Sequence, residues 1–194
     1  MRTNLRPGQT PLEPDEILGL KDLTITTKEA LDAAEQLNVA AAQAWYAGGP
    51  VPAAAEIVSE PFLHHLHRQM FANVWEWAGE QRTTDKNIGG PYYRVAQELR
   101  QLYGDAQFWL DRGTFSADEL ALRFKHRLVA IHVYPNGNGR HSRLVADLLA
   151  EAQGGAPFSW GNKYEAEPGR QAYIHALRRA DNGNYGALLE FARS

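Results

Sequence analysis

The segment HVYPNGNGRHSR, His132 to Arg143, separates two stretches of helical apolar periodicity and limits the fold more than any other feature. A helix interior does not accept Pro135, Gly137 and Gly139 so close together. The chain must therefore turn in a tight loop and start a new helix near Gly139. Such a start aims free backbone N–H groups, and the positive end of the helix dipole, at one point where an anion such as a phosphate can sit. Glycines let the backbone approach a phosphate closely, because no Cβ intervenes. Arg140 and Arg143 lie one turn apart, so the spacing predicts both guanidinium groups on one side of that site. His132, at the loop entrance, is the nearby side chain whose ordinary pKa suits a general base near neutral pH. Read from these residues alone, the segment is either an anion-binding loop with an attached base or a plain helical corner.

Composition narrows the setting. The chain has 194 residues, 44% hydrophobic and 22% charged, which suits one globular domain with a short appendage. Lys plus Arg total 20 and Asp plus Glu 23, so the net charge of −3 argues against a binder driven by nucleic-acid electrostatics. There is no Cys, which removes disulfides, thiolate metal sites and cysteine nucleophiles together. The N-terminal MRTNLRPGQTPLEPDE lacks the apolar stretch of a signal peptide, and no apolar run is long enough to span a membrane. A cytoplasmic protein with no membrane or direct nucleic-acid partner is expected.

The remaining pattern is mainly α. Residues 1–16 read as an extended or frayed arm. Thr27 caps a helix from about Lys28 to Tyr46, with an apolar stripe of Leu31, Ala34, Ala41 and Trp45. Glu35 and Asn38 fall on that stripe, although burying a carboxylate is costly unless a cation answers it. Pro61 opens a helix running toward Trp77, and further helices are expected over about 96–112, 116–131, 142–151, 167–180 and 185–192. Between them GEQRTTDKNIGGPYYRV, Gly79 to Val95, reads as a short β-hairpin or loop, the one strand candidate.

The twelve-residue segment resembles the Fic/Doc signature, His-x-Phe-x-(Asp/Glu)-(Gly/Ala)-Asn-(Gly/Lys)-Arg-x-x-Arg, in His132, Tyr134, Asn136, Gly137, Asn138, Gly139, Arg140 and Arg143. Upstream, FANVWEWAGEQRTT (Phe71 to Thr84) is similar to the family's V-(Y/W)-x-W-A-G-x-x-R segment, so the likeness runs from about Phe62 to Ala152. With its arm and first helix the chain also resembles the bacterial, toxin-like subfamily called mobile mystery protein B. The resemblance implies a Fic-fold helical bundle with a short β-hairpin flap, in which residues 1–50 form an arm and helix and 51–194 the Fic domain. It further implies transfer of AMP from ATP, with Mg²⁺, to a Ser, Thr or Tyr hydroxyl of a target protein. On that likeness His132 is the base, Gly137, Asn138 and Gly139 hold the α- and β-phosphates, Arg140 balances triphosphate charge and Arg143 holds the γ-phosphate. A helix-turn-helix regulator encoded nearby is the candidate partner that the subfamily suggests.

Two positions depart from the signature. Tyr134 replaces Phe, and its hydroxyl then needs a partner. Asn136 replaces the acidic residue that helps hold Mg²⁺, and a neutral amide oxygen is the weaker ligand for a hard cation. Transfer of another phosphate-containing group, or a silent nucleotide- or partner-binding module, therefore stays open beside AMP transfer.

The likeness assigns Arg82 to Arg94 to the flap that docks an extended target segment, with Thr84, Asp85, Lys86 and Asn87 as candidate contacts. It also offers Glu35 as an inhibitory acid, expected to pair with Arg143, although only the Glu of the inhibitory motif is present in LDAAEQ. Three further signals read as structural. His64, His65 and His67 read as residues of a surface helix with no complete metal set, His141 as exposed, and Trp75 and Trp77 as core. Nucleobase contacts are expected after the signature, with Asn162 to Tyr164 and Tyr173 as candidates.

Overall fold

The computed structural model describes residues 11–194, so most of the expected arm, residues 1–10, lies outside the described residues. Helical periodicity is realised as nine α-helices: α1 (Pro14–Ile17), α2 (Lys28–Ala47), α3 (Ala54–Ile57), α4 (Glu60–Phe71), α5 (Val95–Arg112), α6 (Ala117–Ile131), α7 (Asn138–Glu151), α8 (Ala166–Asp181) and α9 (Gly186–Ala192) among the described residues. Local chemistry sets their ends. Thr27, Ser59 and Ser116 each accept the N–H three residues on, capping α2, α4 and α6. Gly113, in the left-handed region at φ 56°, stops α5.

The central pair is α6 and α7. Phe124 and Leu128 on α6 and Leu144, Val145, Leu148 and Leu149 on α7 are buried, and α5 and α9 close over α6. Below α7 lie Leu63, Leu66 and Met70 of α4, all within 1% of full burial. This packing fixes the α6–α7 corner rigidly, because both helices that flank it are locked in the core. The short helices α1 and α3 are absent from the sequence expectation, since four residues carry no period.

Helix α2 packs on α4 along Glu35, Asn38, Val39, Ala42 and Tyr46, so its buried face is rotated from the expected stripe, and Trp45 stands 63% exposed. Asn38 is accommodated because its Nδ2 donates to the Gln69 carbonyl at 3.1 Å and its Oδ1 accepts from Asn73 N at 3.0 Å. Two polar residues thus belong to the buried face by being paired.

The expected β-hairpin over 82–94 does not form, and among the described residues the β pairing is a single bridge, Leu20 to Trp75. The reason is Arg82. Its buried guanidinium donates to the carbonyls of Thr84 (2.8 Å) and Gly90 (2.5 Å), turning inward groups that a cross-strand ladder would need. No helix among the described residues is long and apolar enough to cross a membrane.

Candidate active site

α6 ends at His132, whose backbone is left-handed (φ 57°, ψ 63°), a conformation costly for a residue with a Cβ and concentrated at functional sites. Arg82 holds it there. Its Nε donates to the His132 carbonyl at 2.6 Å, and its backbone N–H to the Val133 carbonyl at 2.9 Å. The flap loop lies directly on the base: a Cβ on Gly89 would stand 2.8 Å from the His132 Cβ, and Gly89 has φ 93°. His132 is 5% exposed, and burial, helped by the Arg82 and Lys86 charges, lowers its imidazole pKa to about 4, against a hydrogen bond to the Val129 backbone. The ring is therefore neutral at pH 7 and able to accept a proton.

The loop from Tyr134 to Gly137 is clamped from inside. Asn138 Nδ2 donates to the Tyr134 carbonyl at 2.8 Å while its Oδ1 accepts from Tyr134 N at 2.9 Å. Both halves of the buried amide are spent on the loop, so its group directed at an anion is the backbone N–H. Gly137, at φ 80°, caps α7 where a Cβ would meet Phe71 at 2.5 Å, and glycine is required. Asn138, Gly139 and Arg140 open α7, where amides have no partner within the helix. A Cβ on Gly139 would meet nothing within 4 Å, so that face of the turn is open to a ligand.

The two signature arginines diverge. Arg140 lies 4.9 Å from the Phe71 ring centroid and donates from Nη2 to Glu35 Oε2 at 2.6 Å. Glu35 Oε1 also accepts from Trp75 Nε1 at 2.6 Å, which answers the buried carboxylate twice. The expected partner Arg143 instead faces Tyr173, its Cζ 5.9 Å from the ring centroid. The pairing with Glu35 thus falls one turn earlier, because Arg140 shares the α7 face directed at Phe71 and α2.

Asn136 Oδ1 accepts from Gly137 N at 2.6 Å. A neutral oxygen already engaged by an amide fits a hard cation poorly, and among the described residues no group of three His, Cys, Asp or Glu could hold a metal. The site's own residues therefore do not fit a protein-held Mg²⁺.

Of the flap candidates, Asp85 and Asn87 are exposed, with Asp85 Oδ1 accepting from Tyr92 N at 2.8 Å. Lys86, expected at a solvated tip, has a fully buried side chain paired with Glu16 of α1. Thr84 Oγ1 also reaches Glu16, at 3.4 Å. His67 and His141 correct the expectation of surface positions: they are 0% and 1% exposed. Periodicity did contain that signal, since His67 and His141 each lie four residues from a core residue, Leu63 and Val145 respectively. Arg82, Phe71 and Trp75 complete the site as residues that charge and apolarity alone do not single out.

A left-handed His132 at one helix end and glycine-cradled amides at the start of the next form a candidate anion-binding corner in a helical domain. The Fic/DOC family model matches residues 57–150, which contain this corner, so this segment is a Fic/DOC domain. It is 34% identical over 134 residues to protein adenylyltransferase fic-1 of Caenorhabditis briggsae, a match covering 66% of this chain and 24% of that protein. A protein adenylyltransferase of Bartonella henselae is 29% identical over 123 residues, covering 51% and 22%. The chain thus spans about a quarter of the length of these curated relatives. Among solved structures, the BepC protein of Bartonella tribocorum with bound AMPPNP superposes with a TM-score of 0.71 at 19% identity, covering 97% of this chain and 93% of that one. Fic-1 from C. elegans gives 0.66 at 21% identity, covering 87% and 49%. These likenesses establish the helical Fic fold.

Proposed function

We propose that this chain is a Fic-type protein adenylyltransferase that moves AMP from ATP to a hydroxyl side chain of a target protein. The observation that carries the reading is the neutral, buried His132 held beside the glycine-cradled start of α7. The relatives named as adenylyltransferases and the AMPPNP-bound neighbour supply the donor class.

In this reading the backbone amides of Asn138 and Gly139, the Gly137 amide once it leaves Asn136 Oδ1, and the side chains of Arg140 and Arg143 hold the triphosphate. The target hydroxyl oxygen attacks the α-phosphorus as its proton passes to His132. A new O–P bond forms, and the bond from the α-phosphorus to the pyrophosphate oxygen breaks. Charge stabilisation and alignment carry most of such a transfer. Phosphate beside His132 raises the imidazole pKa from its low resting value, which improves the base as substrate binds. No step uses a protein-held metal; Mg²⁺ chelated by the nucleotide itself is compatible with Asn136.

Glu35 acts as a restraint in this reading, because Arg140 cannot serve phosphate and carboxylate with the same nitrogen. Target docking falls to Asp85 and Asn87, with Thr84 and Lys86 tied to the arm through Glu16. A nearby helix-turn-helix regulator is retained as a proposed partner, and the cytoplasm as the proposed compartment. Asn136 favours one second reading, a binding module that holds nucleotide without transferring it.

The test is incubation with α-labelled ATP, Mg²⁺ and lysate for wild type and the variants His132→Ala, Asn136→Asp and Glu35→Gly. Label on protein that falls about 100-fold or more in His132→Ala, the usual effect of losing a general base, and rises in Glu35→Gly is expected. Label from Asn136→Asp alone assigns wild type to the binding module. Label that survives His132→Ala overturns the assignment of the base.

A further inference from the structure

His67 on α4 is fully buried and touches both halves of the site's scaffold. Its Nδ1 lies 3.0 Å from the backbone N of Gly79, and its Nε2 lies 3.0 Å from the backbone O of Asn136. An amide N–H can only donate and a carbonyl can only accept. The ring must therefore be neutral with its proton on Nε2. Burial, reinforced by the neighbouring His141, holds its pKa well below the ordinary histidine value, in line with that form. The ring stacks on Tyr134 at 3.7 Å between centroids and 22° between planes, and a Cβ on Gly137 would come within 3.2 Å of Nε2. One imidazole thus contacts Tyr134, Asn136 and the approach to Gly137, and ties them to the turn that follows Trp77.

We infer that His67 is a positioning residue for the phosphate loop: its Nε2–H, donated to the Asn136 carbonyl, sets the direction in which the Gly137 to Gly139 amides point. The Asn136 carbonyl and the Gly137 N–H belong to one planar peptide unit, so holding the carbonyl against α4 also fixes the direction of that N–H and the entry of the chain into the Asn138 and Gly139 amides. The other half of the ring, accepting from Gly79, fixes the ring but does not touch the loop. The two hydrogen bonds are separable, which gives the proposal its test. The role rests on the adenylyltransferase reading for its effect on transfer, but not for its effect on loop order.

His67→Gln places an amide N–H near the position of Nε2 and keeps the bond to Asn136. His67→Asn places an acceptor near Nδ1 and keeps only the bond to Gly79. The readouts are thermal stability, hydrogen exchange of the Tyr134 and Gly137 amides, ATP affinity by calorimetry, and kcat and KM for transfer. Both variants are expected to lose similar stability. His67→Asn is expected to exchange those two amides at least ~10-fold faster and to bind ATP about 10-fold more weakly, whereas His67→Gln stays within about 3-fold of wild type. In transfer, His67→Asn lowers kcat as well as raising KM. Equal effects of the two variants, or loop exchange that follows stability alone, overturn the inference. If wild type transfers no AMP, the adenylyltransferase reading fails while the exchange contrast still decides the role of His67. Should neither variant fold, ¹⁵N spectra of wild-type His67 decide: a proton on Nδ1 or a charged ring refutes it.

Discussion

Tyr134 illustrates how a single atom registers in the site. Its ring is 1% exposed and packed among His64, His67 and His141, yet its hydroxyl is buried with no hydrogen-bond partner among the described residues. Burial holds the phenol well above its usual pKa, so the proton stays on an oxygen that has nothing to give it to. A buried, unsatisfied hydroxyl costs about 1–3 kcal/mol. Tyr134→Phe, which restores the signature residue, is therefore expected to raise stability by about 1 kcal/mol and leave ATP affinity unchanged, read as the urea midpoint and by calorimetry. A loss of stability would show that the hydroxyl is satisfied by water. The same scale shows what the sequence could and could not reveal. His132, Gly137, Gly139 and Arg140 declared themselves by type and spacing, because glycine and a basic pair at a helix start have few other uses. His67 was legible only through its four-residue spacing from Leu63, which puts it on the buried face of α4 but says nothing of what its ring bonds. Glu35 was visible as an acid on a buried stripe, but its partner was not: choosing Arg140 over Arg143 depends on the rotation of α7, which sequence spacing leaves free by a turn.

Among the elements, the helices were legible and the flap was not. The Thr27 cap, the Ser116 start and long apolar periods located α2, α5 and α6 to within a few residues, whereas the helix opened by Pro61 ends at Phe71, six residues short of the expected Trp77. The flap lacks any period, and its shape is set by one long-range group. Arg82 gathers carbonyls from Thr84 and Gly90 in the flap and from Ile131 and His132 at the end of α6. It is thus a buried cation whose charge is answered by carbonyl dipoles of both segments, with Asp85 Oδ1 3.9 Å away. Arg82→Lys keeps the charge but loses the planar fork that reaches several carbonyls together. The expected cost is about 2–4 kcal/mol, from carbonyls and an ammonium left imperfectly paired. Because the contacts straddle the flap and His132, limited proteolysis between residues 83 and 91 should accelerate, and the left-handed His132 should lose its support. A variant with the wild-type urea midpoint and an uncut flap would mean that the carbonyls find other donors.

At the scale of the whole molecule, buried histidines set the acid limit of the fold. Four of the seven have pKa values pushed down chiefly by burial: His132 to about 4, His141 to about 3, His67 well below its ordinary value, and His126 lowered despite its bond to Asp181. His67, His132 and His141 are neutral when folded and take a proton near pH 6.5 when unfolded, so the unfolded chain binds more protons below that pH and stability falls with acid. Their stabilisation is complete above about pH 6.5 and is lost as pH drops toward 4. Asp147 opposes them. Burial raises its carboxyl to about 6, against donation from Phe158 N at 3.0 Å and Trp160 Nε1 at 2.9 Å, so between about pH 6 and 4 the folded state holds one proton that the unfolded state lacks. With these three histidines against one carboxyl, unfolding near pH 5 should take up about two protons, a slope of roughly 3 kcal/mol per pH unit. Urea midpoints measured from pH 7.5 to 4.5 test this. Asp147→Asn removes the opposing proton, so its profile should be steeper below pH 6 by about one proton and its stability higher above pH 6, where wild type must bury a charge. A flat profile between pH 6.5 and 5 would show that these rings are already protonated in the fold, which the donor and acceptor geometry around His67 does not allow.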